Sequence, residues 1–109
     1  MRDGTVQQKS FEFALSIIRL YKKLQARQEF ILSTQLLRSG TSVGIHVEQA
    51  NVEHSHEEFV SGLLIAVKAA REAKYWLRLL QESKLADVDV AGELSQVDEL
   101  IALLVPLAK

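Results

Sequence analysis

Three groups of residues in this chain carry the kinds of side chain that chemistry needs. The first is Glu53-His54-Ser55-His56, which contains one Glu-x-x-His. Di-iron four-helix proteins build their sites from that unit, but they need two copies and a Glu from each of the other helices, all facing inward. Here a single copy straddles a turn, so a solvated helix cap with surface histidines is the better reading and no metal ligand is assigned. The second group is Ser42, His46 and Gln49, neighbours on one helix face. A serine becomes a nucleophile only beside a base, and the base needs an orienting acid that this stripe lacks. Surface or interface polar contacts fit it better than catalysis, so no catalytic residue and no cofactor are assigned, and an enzyme is not expected.

The third group is Lys68, Arg71, Tyr75 and Arg78, extended by Lys74 and Arg38. Regularly spaced cations with an aromatic ring available for stacking are what a phosphate backbone and its bases recognise. Against this, Glu72 and the acidic last helix lower the local field, and a charged stripe on a long helix is commonly just its solvated side. Nucleic-acid binding through these residues is therefore the second reading of function.

The elements that position these groups follow from composition and periodicity. A chain of 109 residues fits a single domain, residues 1–109, with one core. One Pro and five Gly leave too few turns for a β-rich fold, so an all-α structure is expected. There is no Cys, hence no disulfide or thiolate metal site. The N-terminus lacks an apolar signal core, and no run of about 18 apolar residues occurs; a cytoplasmic protein without membrane contact is expected. The net charge of −1 conceals a mildly basic first part and an acidic tail from Asp87, far from the strongly basic balance of a dedicated nucleic-acid binder.

Helix 1 is expected from Thr5 to about Ala26. Thr5 and Gln8 fit a capping box, and Phe11, Ala14, Leu15, Ile18 and Leu24 recur at helical spacing with Phe13, Ile17 and Leu20 beside them. Helix 2 is expected over residues 30–52, with Leu32, Leu36, Ser39, Gly40, Val43, Val47 and Ala50 turned inward. Helix 3 should start at a second capping box, Ser55 with Glu58, and run to about Glu82, burying Phe59, Leu63, Ala66, Val67, Ala70, Ala73, Leu77 and Leu80. Asp87 or Asp89 could cap helix 4, which turns Val90, Leu94, Val97, Leu100, Ile101, Leu104 and Leu107 inward, with Pro106 in its last turn. Four helices joined by short loops make an antiparallel up-and-down four-helix bundle.

The organising stretch is residues 35–50. Its Ser39, Gly40, Thr41, Ser42 and Gly44 each cost a helix up to about 1 kcal/mol relative to Ala. Close approach of a second helix is the usual compensation. Helices 2 and 3 also hold more apolar surface than one core needs. Leu37, Thr41, Gly44 and Ile45 on helix 2, with Ile65, Ala69, Trp76 and Leu79 on helix 3, form a second sector assigned to contact with another copy of the chain.

The run Phe13-Ala14, the block Gln35-Leu36-Leu37-Arg38-Ser39-Gly40-Thr41-Ser42-Val43-Gly44, then Val47-Glu48 and Ala50, and the helix 3 residues Phe59, Ile65-Ala66, Lys68-Ala69, Arg71-Glu72 and Tyr75-Trp76-Leu77 resemble the four helix bundle protein family. That family is also called the 23S rRNA intervening-sequence proteins. The resemblance covers nearly the whole chain and implies an up-and-down bundle assembling as a homopentamer, with no established enzymatic activity. It also implies kinship with the accessory proteins of diversity-generating retroelements, which bind nucleic acid and a reverse transcriptase through a basic surface. The chain departs from the family at Ile45-His46, where Ala-Asn is common, and at Gln49, where Glu is common. The expected function is thus an oligomeric assembly or protein-interaction scaffold.

Overall fold

The computed structural model describes residues 4–109. They form α1 (Thr5–Ala26), α2 (Leu32–Asn51), α3 (His56–Ser83) and α4 (Ala91–Leu107), with no strand among the described residues. Each helix packs on its neighbour in sequence and α4 closes back on α1, while the diagonal pairs stay apart. This is the square up-and-down bundle that the short loops predict. The rod measures 45 × 19 × 18 Å. The 28 residues of α3, at about 1.5 Å each, run nearly its whole length.

Between the helices lies one core of buried side chains, including Phe13, Ile17, Leu36, Leu63, Leu77 and Leu100. The inward faces of α2 and α3 are those expected from periodicity, except that Leu32 and Phe59 lie at the margin of the core. On α1 the expectation needs correction. The buried line is Val6, Ser10, Phe13, Ile17, Leu20 and Leu24, whereas Phe11, Leu15 and Ile18 are exposed. Two apolar stripes compete for the core of this helix. The one that wins runs its full length, and the other stops at the charged residues Arg19 and Lys22, so turning the long stripe inward removes more apolar area from water. At the other end of the chain Leu107 is exposed, and Ala108 just beyond the helix is buried in its place.

The small residues of α2 explain how the helices fit. A Cβ on Gly40 would lie 2.8 Å from Cγ1 of the buried Ile17, so α1 presses directly on the α2 backbone there. At Gly44 the nearest atoms belong to Ser10, at 3.6 Å, which is ordinary contact. A further close approach comes from the far side of the bundle: a Cβ on Gly62 of α3 would meet Ala50 Cβ at 2.8 Å. The hydroxyls along α2 cost little, because each donates to a carbonyl of its own chain. Ser33 donates to Glu29 (2.8 Å), Thr41 to Leu37 (2.7 Å), Ser42 to Ser39 (3.0 Å) and Ser39, more weakly, to Leu36 (3.4 Å).

Helix ends follow local chemistry, with two departures from expectation. Ser55 caps α3 as predicted: its Oγ accepts from the Glu58 backbone N–H and donates to Glu58 Oε1, both at 3.0 Å. Asp89 accepts from the Ala91 N–H at 3.0 Å ahead of α4. The capping box at Thr5 does not form, because α1 already starts at Thr5 with Gly4 in the cap position, and the Gln8 amide turns forward to Glu12. The start of α2 is capped by Glu29, a position the sequence analysis did not single out. Its carboxylate accepts from the N–H groups of Ile31 (3.2 Å), Leu32 (3.0 Å) and Ser33 (2.7 Å). Three orphan donors at a helix start favour a negative charge there.

Candidate functional site

The three chemistry-bearing groups occupy different places. Glu53, His54, Ser55 and His56 are exposed in the turn between α2 and α3, where Ser55 serves as the cap. Among the described residues no three His, Cys, Asp or Glu side chains gather closely enough to hold a metal. His46 lines an open cleft of about 540 Å³ between the end of α2 and the start of α3, shared with Gln49, Glu53, Glu57 and Ile65. Ser42 is not paired with it, since its hydroxyl is engaged by the Ser39 carbonyl. A nucleophile without a base and a base without an acid make no catalytic constellation.

The cations lie on the outer side of α3. Lys68, Arg71, Tyr75 and Arg78 are all exposed, and Arg38 is exposed on α2. Their charges are not equally available. Lys74 pairs with Asp98 of α4 at 2.8 Å, and Arg78 reaches Glu82 one turn on at 3.6 Å. Lys68 and Arg71 have no ion pair among the described residues. The Tyr75 and Trp76 rings pack edge to face, with centroids 5.3 Å apart.

The residues assigned to contact between copies divide by depth. Ile45 and Ile65 are exposed, while Thr41, Gly44 and Leu79 are half-buried. Leu37, Ala69 and Trp76 pack on the margin of the subunit's own core. Thr41, Gly44 and Ile45 form one wall of a groove of about 440 Å³ along the α1–α2 seam. The opposite wall is Phe11, Ala14 and Ile18, with Ser10 beside Gly44 where the two helices touch. Phe11 is 65% exposed and Ile45 54%. The groove's one charged residue is Glu48, held by the Gln7 amide at 3.2 Å. The sequence reading grouped Phe11, Ala14 and Ile18 with the apolar residues of α1 without separating the inward stripe from the outward one, and so missed this wall. The signal was present as a second apolar stripe on α1 that stops half-way along the helix.

A square bundle of four helices around one buried core, with an open apolar groove outside, defines the class: a four-helix-bundle protein. The sequence model of the 23S rRNA-intervening sequence protein family matches residues 2–105, and the chain belongs to that family. It is also similar to the crystal structure of a protein of unknown function from the S23 ribosomal protein family of Bacteroides thetaiotaomicron VPI-5482. The two share 38% sequence identity at a TM-score of 0.87, over 95% of this chain and 98% of that one. No curated protein matches the chain. Neither name assigns a catalytic activity. No helix among the described residues is long and apolar enough to cross a membrane.

Proposed function

We propose that the protein is a non-enzymatic subunit of a homo-oligomer, and that its role is assembly or protein interaction rather than chemistry. The observation that carries this is the exposed apolar surface of a bundle whose own core is complete. Phe11, Ile18 and Ile45 lie exposed together along the α1–α2 seam. Scattered exposed apolar residues are normal, but a contiguous patch of this kind marks a contact surface. Size exclusion with light scattering tests it. The expected result is a single species several times the 12.2 kDa chain mass at micromolar concentration; a persistent monomer overturns the proposal.

A second reading, a nucleic-acid-binding assembly, is favoured by the exposure of Lys68, Arg71, Tyr75 and Arg78 along one side of α3. It ranks below the first because Arg78 and Lys74 are already paired and the chain's net charge is −1. This reading requires affinity for single-stranded RNA or DNA that falls steeply as salt rises above about 50 mM. Absent or salt-insensitive binding removes it.

A further inference from the structure

We infer that the end of the bundle where α1 turns into α2 and α3 into α4 is a docking site for an acidic segment of another protein, one that offers apolar side chains between carboxylates. This names a partner for the interaction role proposed above, and it does not depend on copies of the chain associating. The turns at this end hold Phe30, Ile31 and Leu85 out in water, 53%, 73% and 63% exposed. Together with Arg27 and Gln28 they line an open hollow of about 240 Å³. A drug-sized ligand needs a pocket of about 300 to 1,000 Å³ that encloses most of it, so a hollow of this size suits a side chain carried by a larger partner.

The α1–α2 turn does not need these apolar side chains for its own shape. Gln28 donates its N–H to Gln25 at 3.0 Å and Glu29 to Leu24 at 2.9 Å, while the Glu29 carboxylate accepts from Ile31, Leu32 and Ser33. A backbone fixed in this way has little freedom left to lose when a partner docks.

Charge selects the partner. Lys22, Lys23, Arg27 and Lys84 are exposed at this end, and none has an ion pair among the described residues. Of the carboxylates here, Glu29 and Asp89 accept backbone N–H groups and Glu82 pairs with Arg78, which leaves Asp87 and Glu93 against those cations. Apolar surface rimmed by an excess of cations favours an apolar segment bearing carboxylates and disfavours a basic one. The same end of a second copy would bring the same excess of cations. Three apolar side chains are too few to anchor the chain in a bilayer, where even a myristoyl group binds only marginally.

The test uses the full chain and a fluorescein-labelled peptide with a leucine and a phenylalanine flanked by aspartates and glutamates, followed by fluorescence anisotropy. A Kd on the order of 10 µM is expected for an interface this small. A peptide with lysines in place of the acids, and one with serines in place of the apolar pair, should each bind at least about tenfold more weakly. Phe30→Asp with Leu85→Asp should lose the acidic peptide. Arg27→Glu with Lys84→Glu should reverse the preference and take the basic peptide instead, an outcome that misfolding cannot produce. All four positions are exposed, so both variants should keep the circular dichroism of a folded bundle. A folded wild type that ignores the acidic peptide up to about 1 mM overturns the proposal. So does equal binding of the basic peptide, or an unchanged preference in the charge-reversed variant. Binding to phosphatidylserine vesicles but not to the peptide, lost in Phe30→Asp with Leu85→Asp, overturns it in favour of a lipid surface. A changed mass of that same variant by light scattering overturns it in favour of contact between copies. A monomeric wild type that binds the acidic peptide supports it and removes self-assembly alone, which keeps the two failures distinct.

Discussion

Gly40 and Gly44 sit one turn apart on α2, yet their surroundings require opposite responses to the same substitution. A methyl group at Gly40 would press at 2.8 Å on the buried Ile17, which has no room to withdraw. Gly40→Ala should therefore destabilise by about 1 to 3 kcal/mol, read as a lower midpoint in urea. At Gly44 the nearest atoms stand at 3.6 Å, so the gain in helix propensity prevails and Gly44→Ala should stabilise by up to about 1 kcal/mol. Equal effects at both sites would remove close approach as the reason for the small residues. Gly62 and Ala50 form a matched pair: Gly62→Ala should destabilise, and adding Ala50→Gly should cost less than the sum of the two single changes, because the clash is between their two Cβ positions. Glu29 is a residue-scale feature of another kind. Glu29→Ala removes the acceptor of three N–H groups at a site only 6% exposed. About 2 kcal/mol should be lost, and Glu29→Gln, which keeps one acceptor oxygen, should lose less.

At the scale of the element, α1 and α3 are each followed by a residue of left-handed backbone conformation, and side-chain acceptors stand at the start of the helix after each join. Gln28 follows α1 with φ 62°, and Glu29 donates its N–H to the Leu24 carbonyl at 2.9 Å while Gln28 donates to Gln25 at 3.0 Å. That pair of bonds is a Schellman motif, and its left-handed position suits glycine. Lys84, directly after α3, is also left-handed, with φ 54°, and the N–H that follows it donates to Ser83 Oγ at 3.2 Å. Gln28→Gly should raise the melting temperature modestly, by an amount equivalent to up to about 1 kcal/mol, because the native conformation there strains any residue with a Cβ. A fall would mean that the Gln28 side chain contributes more than its backbone costs. α4 is tied to its neighbours by Lys9–Glu99 at 3.2 Å and Lys74–Asp98 at 2.8 Å. Both pairs are partly exposed, so each contributes little and α4 is held chiefly by Val97, Leu100 and Leu104.

For the whole molecule, the self-assembly proposed above would have a thermodynamic consequence beyond mass. A contact made only by folded subunits stabilises the folded state through mass action. The urea or thermal midpoint should therefore rise with protein concentration from about 1 to 100 µM, by an amount set by the affinity between copies. The groove variant Phe11→Asp with Ile45→Asp should abolish that dependence while leaving the fold intact. A wild-type midpoint independent of concentration counts against assembly.

The sequence by itself determined the all-helical class, the number and order of helices, the inward faces of α2 and α3 and the Ser55 cap, because each rests on local periodicity or on side-chain chemistry within one turn. It also marked the small residues of α2, Gly40 and Gly44 among them, as a point of close approach, and of these two only Gly40 is one. The lengths of the two apolar stripes on α1 already favour the one that turns inward, and the Glu29 contacts, made with the residues that follow it directly in the chain, are as local as the Ser55 cap. What had to wait for the tertiary structure is which surfaces of neighbouring helices come to lie side by side outside the core. The groove exists only where Phe11 and Ile18 come to lie opposite Thr41 and Ile45, residues far apart in the chain that only packing brings together.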